Sequence, residues 1–338
     1  MIDCSKEMAK YHDQNVRLGE TQKQEMRVRR QANQVRLRSG LELNDEPLPI
    51  QFIKQGSYAM YTMVQHPDND YDIDDGAVFL REDIQGPQGG DKSPREARDM
   101  VREALDDGSF NTPPKTLKNC IRVYYEAGYH VDVPVYREFE DDYGQSALEF
   151  ASSEWRQSYP TKITKWFNDA VVERSPDTLN GRQMRRVVCL LKKFSNSRKT
   201  WNLPSGLIIS VLINENYIAL DGHDDESLYD TIQAIYNRLA SVVHQVFNPA
   251  DSGEELTKGV DDPTIQELED RLVWALDRLA DVKHGTCDKN EALKRWNEIF
   301  NTDFFSQFIE EDNDECKARS LNILASSTAS IAPKPWTP

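Results

Sequence analysis

The stretch Asp72-Ile73-Asp74-Asp75-Gly76 carries the strongest indication of fold in the sequence. Asp72 and Asp74 are separated by one residue, and side chains alternate along a β-strand, so both carboxylates project from one face. Two carboxylates about 6–7 Å apart on one edge favour a bound cation. Carboxylate oxygens suit Mg²⁺, which substrate phosphates then help to coordinate. Taken alone, the pair is also typical of a solvated acidic turn, because residues 68–75 hold three further aspartates.

A third aspartate stands in a second β-type stretch, His130-Val131-Asp132-Val133-Pro134-Val135. The valines alternate with Asp132, so we expect the valines to face the core and Asp132 to lie on an open face of the sheet. Asp132 would then complete a site for two metal ions about 3.5–4 Å apart, with Asp72 and Asp74 as the other ligands. The expected metal is Mg²⁺, with Mn²⁺ as the alternative.

A glycine–serine turn precedes these aspartates, in Gln55-Gly56-Ser57. The glycine permits a tight turn and a close approach of the backbone to a phosphate group. The serine hydroxyl and the backbone N–H groups are suited to hold phosphate oxygens. Phosphoryl transfer needs mainly positioning and neutralised charge, and the ordered set of turn and aspartates supplies both.

Composition limits the classes of function. The chain has 338 residues and a net charge of −16, and an acidic surface repels nucleic-acid backbones, which favours small nucleotides over a polymer substrate. No apolar run of about 18 residues predicts a membrane span, and the first residues lack the pattern of a secretory signal. The five cysteines are scattered without a CxxC pair, which argues against structural zinc and disulfides and favours the cytoplasm.

Basic residues concentrate in one segment, 23–38, which holds six lysines and arginines against one glutamate. One interpretation is a solvated helix face that pairs with acids elsewhere, and the other is a groove that attracts phosphate. Residues 21–24 read as a capping box and Gly40 as a C-cap, so we predict a helix between them.

The chain divides into a mixed α/β half and a helical half. We expect an N-terminal helix bridging two lobes in residues 1–45, a catalytic core in 46–150, a helical domain in 151–320 and a flexible tail in 321–338. Strands are predicted at 71–80, 120–125 and 129–136, the last two as a hairpin, and residues 49–57 are predicted to form a strand or a short extended piece that runs into a turn. Predicted helices of the second half are 160–173, 182–195, 204–217, 226–246, 263–282 and 288–300, of which 204–217 is apolar all round and therefore buried.

Several blocks of sequence resemble one family. They are Gln55-Gly56-Ser57-Tyr58, Asp72 to Gly76, Val131 to Tyr136, Trp155 to Pro160 with Trp166 to Asp169, and the helix Arg185 to Phe194. Their order and spacing over about residues 20–215 are similar to the bacterial CD-NTases, the cGAS- and DncV-like nucleotidyltransferases. The resemblance implies a polymerase-β-like nucleotidyltransferase core, of α/β (α+β) class with a mixed sheet, packed against a C-terminal helical domain.

The resemblance also implies roles for individual residues. Asp72, Asp74 and Asp132 would bind the metal, with Asp132 near the attacking hydroxyl. The other implied positions contact nucleotides: Gln55, Gly56, Ser57 and Lys192 at the donor triphosphate, Arg122 at a nucleotide, Ser158 at a nucleobase, and Ser205 at the donor.

Some of these positions keep a second interpretation. Arg122 is one residue out of the family spacing to Asp132, and the family serine pair near position 205 is Ser205-Gly206 here. Ser158 would also serve as an N-cap of the helix that begins at Pro160. Between Lys192 and Lys193, we expect Lys193 to be the solvated one, and we expect His130 to be structural.

The expected function is synthesis of a cyclic di- or trinucleotide from ATP, GTP or other NTPs, with release of pyrophosphate. The family context implies CBASS antiphage defence and a downstream effector that binds the product. We predict a cytoplasmic monomer that forms no stable complex with nucleic acid or membrane. The alternatives are an RNA- or tRNA-directed nucleotidyltransferase and a catalytically inactive nucleotide-binding regulator.

Overall fold

A computed structural model of the chain describes residues 1–66, 72–86, 89–241 and 243–309. It contains a mixed β-sheet with helices packed on it, followed by a largely helical second half. The predicted α/β class, with a mixed sheet packed against helices, is thereby confirmed. The division into domains stays a prediction, and its last segment, 321–338, lies outside the described residues. No helix among the described residues is long and apolar enough to cross a bilayer.

Strand β2 (Asp72–Leu80) is the centre of the sheet. Along one side it pairs in parallel with β5 (His130–Val133) and then with β6 (Val135–Glu140). Strands β5 and β6 follow each other directly and are separated only by Pro134, which has no N–H to donate to the sheet. The Pro134 carbonyl still accepts a hydrogen bond from the N–H of Ala77 at 2.9 Å. Along its other side β2 pairs antiparallel with β1 (Gln51–Gln55).

Further strands extend the sheet beyond β5 and β6. Strand β4 (Ile121–Tyr124) pairs antiparallel with β5, as the hairpin pattern predicts, and β3 (Lys115–Thr116) pairs antiparallel with β4. On the β6 side, β7 (Ser146–Ala151) pairs antiparallel with β6, and β8 (Trp155–Gln157) pairs antiparallel with β7.

Two helices cover one face of this sheet. Helix α2 (Glu20–Leu43) packs against α4 (Pro94–Leu105), and both share a core with the sheet. The second half of β2 carries an apolar run of Ala77, Val78 and Phe79, all fully buried, as expected of a strand covered on both faces. This run anchors the strand, so that its polar first half can lie at the edge of the core.

Helix α2 does not end at Gly40, and the C-cap prediction is wrong. The helix continues to Leu43 because Gly40 serves as the contact point with α4. A Cβ atom at Gly40 would lie 1.9 Å from the carbonyl oxygen of Ala104. The helix also begins two residues earlier than predicted, with Gly19 rather than Thr21 as N-cap and the Gln22 side chain accepting from the Gly19 N–H at 3.1 Å.

The basic residues of α2 give support to both interpretations of segment 23–38, because some pair with acids and others line a cavity. Arg30 approaches the carboxylate of Asp75 at 3.8 Å, and Arg36 donates to Asp107 at 2.7 Å. These contacts support pairing with acids elsewhere. Two further basic residues of the helix line an open cavity beside the glycine–serine turn: Lys23 and Arg27.

The helical half follows the predicted pattern closely. Helix α7 (Gly206–Asn216) is buried over residues 208–213, as its apolar sequence predicts. Prediction and structure differ most at α8, which ends at Ala240 and is followed by a short hairpin of β9 (Phe247–Asn248) and β10 (Asp251–Glu255). The other helices are α5 (Pro160–Arg174), α6 (Gln183–Ser195), α9 (Pro263–His284) and α10 (Lys289–Phe300), with a 3-10 turn at Phe304–Phe308.

The first residues of the chain belong to the helical core. Helix α1 (Ser5–Tyr11) continues into a π-helical turn at His12–Val16, and Met8 and Tyr11 are buried among residues of the helical half. The Tyr11 ring lies 4.7 Å, centroid to centroid, from that of Phe300. The N-terminal segment therefore contacts one half of the molecule before α2 crosses to the sheet.

The contact at Gly40 leads to a stability prediction. We expect Gly40→Ala to lower the free energy of unfolding by about 1–3 kcal/mol, because the added methyl group forces α2 away from α4. Urea unfolding monitored by circular dichroism measures this change. Ser39→Ala is the matched control, since Ser39 is exposed on the same helix turn, and it should leave the midpoint nearly unchanged. A Gly40→Ala protein as stable as the wild type would contradict the close packing of the two helices.

Candidate active site

Three carboxylates meet at the polar end of β2. Asp72 and Asp74 project from one face of β2, and the parallel register places Asp132 of β5 opposite Asp74. One oxygen atom from each of the three carboxylates lies within 4.8 Å of the other two. The structure therefore brings together the three aspartates that the sequence predicts as metal ligands, and their role as ligands stays a proposal.

The glycine–serine turn lies directly against this cluster. Gln55, the last residue of β1, pairs with Asp74 across the two strands, and the chain then turns into the short helix α3 (Gly56–Ala59). Gly56 has a φ of +61°, and a Cβ atom there would lie 2.1 Å from Oδ2 of Asp74. Only glycine satisfies both constraints, so the Gly56-Ser57 turn can approach the carboxylates as closely as it does.

The electrostatics of the cluster favour a cation. Burial, followed by the charges of Asp72 and Asp132, raises the pKa of Asp74 to about 8. Burial and the charge of Asp132 raise the pKa of Asp72 as well. Three crowded carboxylates, two of them with a raised pKa, are the donor set that a hard divalent cation such as Mg²⁺ fits.

Arg122 supplies a positive charge to the cluster in this structure. Strands β4 and β5 place Arg122 directly opposite Asp132. Its Nε and Nη2 atoms donate to the two carboxylate oxygens of Asp132 at 2.8 and 2.7 Å, and Nη2 lies 3.9 Å from Asp72. The predicted nucleotide contact of Arg122 stays a proposal, but the residue does lie at the site.

Lys192 approaches the same site from the helical half. Its Nζ donates to the carbonyl of Thr62 at 2.7 Å, on the segment that follows the glycine–serine turn. Burial lowers the pKa of Lys192, while Asp72 and Asp74 are close enough to act in the opposite direction. Gly206 lies against its side chain, and a Cβ atom there would be 3.0 Å from Lys192 Cε. The neighbouring Ser205 is the N-cap of α7, with its hydroxyl accepting from the N–H of Ile208 at 3.5 Å.

Ser158 follows β8 and is not the N-cap of α5. That position belongs to Tyr159, which makes no side-chain cap, so the capping interpretation of Ser158 is wrong. The Ser158 N–H donates to the carbonyl of Leu148 at 2.9 Å, and its side chain lies near the Tyr136 hydroxyl, whose pKa it acts to lower. The predicted nucleobase contact is untested and stays a proposal.

Two cations of α6 beside Lys192 were not recognised in the sequence. Lys193, expected to be solvated, donates to the carbonyl of Gln65 at 2.9 Å. Arg185 donates to the carbonyl of Met60 at 3.0 Å and to Asn168 at 2.9 Å. Together with Lys192 they fix residues 60–65 against α6. The seven-residue spacing of Arg185 and Lys192 gave a signal for a shared helix face, but no local pattern identifies backbone carbonyls as partners.

The raised pKa of Asp74 predicts how metal-free stability depends on pH. In the folded protein Asp74 holds its proton up to about 8, against an ordinary value of 3.8. Because the folded state binds the proton more tightly, this residue's contribution to stability is lost as pH rises through that window. We expect saturating Mg²⁺ to reverse the loss, and Asp74→Asn to remove this part of the pH dependence, in melting curves recorded with EDTA and with Mg²⁺. An identical pH profile for wild type and Asp74→Asn would contradict the raised pKa.

The Arg122 contact predicts competition with the metal. Removing this cation leaves the carboxylates of Asp132 and Asp72 free, so we expect Arg122→Gln to bind Mn²⁺ about tenfold more tightly than the wild type. Mn²⁺ titration followed by electron paramagnetic resonance measures the affinity. Lys118→Gln removes the same charge from an exposed position near β4 and should change little. Unchanged or weaker Mn²⁺ binding in Arg122→Gln would argue against competition.

Comparison with known proteins agrees with this geometry. Residues 50–136 match the family model described as "Cyclic GMP-AMP synthase DncV-like, nucleotidyltransferase domain". The fold is similar to Vibrio cholerae DncV, a cyclic AMP-GMP synthase, at 18% identity and a TM-score of 0.66, covering 86% of this chain and 92% of that one. It is also similar to Escherichia coli MS115-1 CdnC, at 16% identity, a TM-score of 0.65 and coverages of 90% and 99%. The resemblance found in the sequence is confirmed: the chain carries a DncV-like nucleotidyltransferase domain and has the fold of the bacterial cGAS-like nucleotidyltransferases.

Proposed function

We propose that this protein joins nucleoside triphosphates into a cyclic di- or trinucleotide and releases pyrophosphate at each step. The observation that carries the proposal is the convergence of Asp72, Asp74 and Asp132 beside the Gly56-Ser57 turn. V. cholerae DncV has been crystallised with ATP and GTP, and with the linear intermediate 5′-pppA(3′,5′)pG. Those bound nucleotides and that linear intermediate support the same chemistry for this chain.

Each step is an in-line displacement at phosphorus. A ribose hydroxyl of one nucleotide attacks the α-phosphorus of the other, the new O–P bond forms, and the bond to the β-phosphate breaks with pyrophosphate as leaving group. Two divalent ions held by the carboxylates would neutralise the triphosphate and lower the pKa of the attacking hydroxyl. Asp132 lies next to that hydroxyl in our proposal and accepts its proton. A second displacement of the same kind closes the ring.

The neighbouring residues position the donor. The turn at Gly56 and Ser57 holds the triphosphate oxygens, and Lys192 neutralises their charge from the opposite side. Lys192 donates to the Thr62 carbonyl in this structure, 2.7 Å away. A triphosphate bound at the turn would offer it a stronger, charged acceptor. Arg122 contacts a nucleotide in the same proposal, and Ser205 contributes at the donor.

We also propose the biological setting that the resemblance implies. The product would act as a second messenger of CBASS antiphage defence and bind a downstream effector. The protein would act as a cytoplasmic monomer on ATP, GTP or other NTPs, without stable binding to nucleic acid or membrane. The net charge of −16 supports the last point, because it opposes association with polyanions.

The test is synthesis from labelled NTPs. Wild-type protein with Mg²⁺ or Mn²⁺ should yield a phosphatase-resistant product, which mass spectrometry and nuclease P1 then identify. Asp74→Asn should reduce product by about a hundredfold or more, since even outer-shell partners of a metal are worth 10–100-fold. Asp83→Asn is the matched control, because Asp83 is an exposed aspartate in the turn after the same strand.

The other outcomes separate the alternatives. Absence of a resistant product under varied ions and nucleotide pairs would contradict the proposal. Elongation of RNA or tRNA together with a gel shift would indicate a polymer-directed transferase. Nucleotide binding by calorimetry without turnover would indicate an inactive regulator.

A further inference from the structure

We propose that Tyr136 is a positioning residue that orients the Gln55 amide toward the nucleotide and ties it to Ser158. The proposal rests on the function proposed above, since it assigns Gln55 and Ser158 to the nucleotide site. It adds a residue to which neither the family resemblance nor the metal-binding pattern gives a role.

Tyr136 stands where three elements of the site meet. It lies on β6 opposite Val78 of β2, and its side chain is 3% exposed. Its ring occupies the space above Gly76, where a Cβ atom would lie 2.6 Å from the ring carbon Cε2. Gly76, the last residue of Asp72-Ile73-Asp74-Asp75-Gly76, must therefore lack a side chain so that the Tyr136 ring can pack against β2.

The hydroxyl of Tyr136 connects the other two elements. It donates to Oε1 of Gln55 at 2.8 Å, at the end of β1, and the Ser158 side chain lies near the same hydroxyl, whose pKa it acts to lower. Burial raises the pKa of Tyr136 well above its usual value, so the hydroxyl keeps the proton that it donates. Tyr136 therefore stands between Gln55, which precedes the glycine–serine turn, and Ser158, the predicted nucleobase contact.

This hydrogen bond determines which end of the Gln55 amide faces the site. Because Tyr136 donates, it selects the carbonyl end, and the NH₂ group of Gln55 points elsewhere. Within the described residues Gln55 Nε2 donates to no protein acceptor in the structure. Gln55 is half-buried, pairs with Asp74 and precedes Gly56. A free amide donor at this position suits phosphate or ribose oxygens of a bound nucleotide.

A purely structural role makes different predictions. The ring also packs on Phe150, with centroids 5.3 Å apart, and contributes to the core with Ile53 and Val78. Phenylalanine would satisfy that packing fully. Only the positioning role requires the hydroxyl, so the single oxygen atom separates the two explanations.

The experiment measures nucleotide binding without turnover. The full chain is titrated with α,β-methylene-ATP and Mn²⁺ by isothermal calorimetry, and melting curves report the fold. We expect Tyr136→Phe to bind the analogue about three- to tenfold more weakly, the effect of one hydrogen bond in the site. The control is Tyr11→Phe, which removes the hydroxyl of a buried tyrosine in the helical core and should leave affinity unchanged.

Variants of Gln55 distinguish positioning from packing. Gln55→Glu keeps an oxygen for Tyr136 but replaces the NH₂ donor with a negative oxygen, so binding should weaken while the melting temperature stays near that of the wild type. Combining Gln55→Ala with Tyr136→Phe should weaken binding no further than Gln55→Ala alone, because both changes remove the same interaction.

The proposal is overturned if Tyr136→Phe binds the analogue like the wild type, or if its effect adds fully to that of Gln55→Ala. If Tyr136→Phe fails to fold, Gln55→Leu removes the same hydrogen bond from a half-buried position, and unchanged binding there overturns the proposal equally. Absence of a cyclic product from wild-type protein would contradict the proposed function without affecting this binding test. A wild-type protein that binds no nucleotide would contradict both.

Discussion

Mutual repulsion of three carboxylates is the constraint around which this structure is arranged. One oxygen from each of Asp72, Asp74 and Asp132 lies within 4.8 Å of the others, and the pKa of Asp74 rises to about 8 as a result of burial and of its neighbours. A chain selected for stability alone would not place such groups together, because each desolvated charge without a partner costs free energy. The backbone holds them there through the register of β2 with β5, and Arg122 supplies a charge-assisted contact that offsets the repulsion at Asp132.

The rest of the sheet keeps that register in place. The apolar second half of β2 is covered on both faces, whereas its polar first half carries the aspartates. A slip of one residue would turn Ile73 outward and both aspartates into the core, so the hydrophobic pattern and the site depend on the same register. Two glycines allow neighbouring groups to approach the backbone closely. Gly56 lets the glycine–serine turn lie against Asp74, and Gly76 leaves space for the ring of Tyr136. Position and chemistry are therefore fixed by the same few contacts.

The sequence predicted the features that follow from local periodicity. Alternation placed Asp72, Asp74 and Asp132 on strand faces, and the apolar pattern identified α7 as a buried helix. The sequence did not predict features that depend on contacts between residues far apart in the chain. Gly40 was predicted to end the helix because the sequence around it does not reveal its contact with Ala104 on another helix. Lys193 was predicted to be solvated because its acceptor, the Gln65 carbonyl, lies on a distant part of the chain. The hairpin after α8 is short and polar, so it gives no periodic signal. The parallel pairing of β2 with β5 joins residues separated by most of the catalytic half, and sequence spacing does not encode its register.

The placement of the positive charges bears on which ligand the site can take. Many basic residues are engaged within the fold: Arg122 on Asp132, Arg30 beside Asp75, and Lys192 and Arg185 on the carbonyls of Thr62 and Met60. The net charge of −16 also opposes association with a polyanion. In the proposed function a nucleoside triphosphate would meet a different environment, since its phosphates would enter between Lys192 and the glycine–serine turn and bring their own divalent cation to the carboxylates. Under that proposal, an acidic exterior around a site with internal cations selects against a long nucleic acid while accepting a small, metal-bound nucleotide, and Arg122 would exchange its carboxylate partners for a nucleotide as that cation arrives.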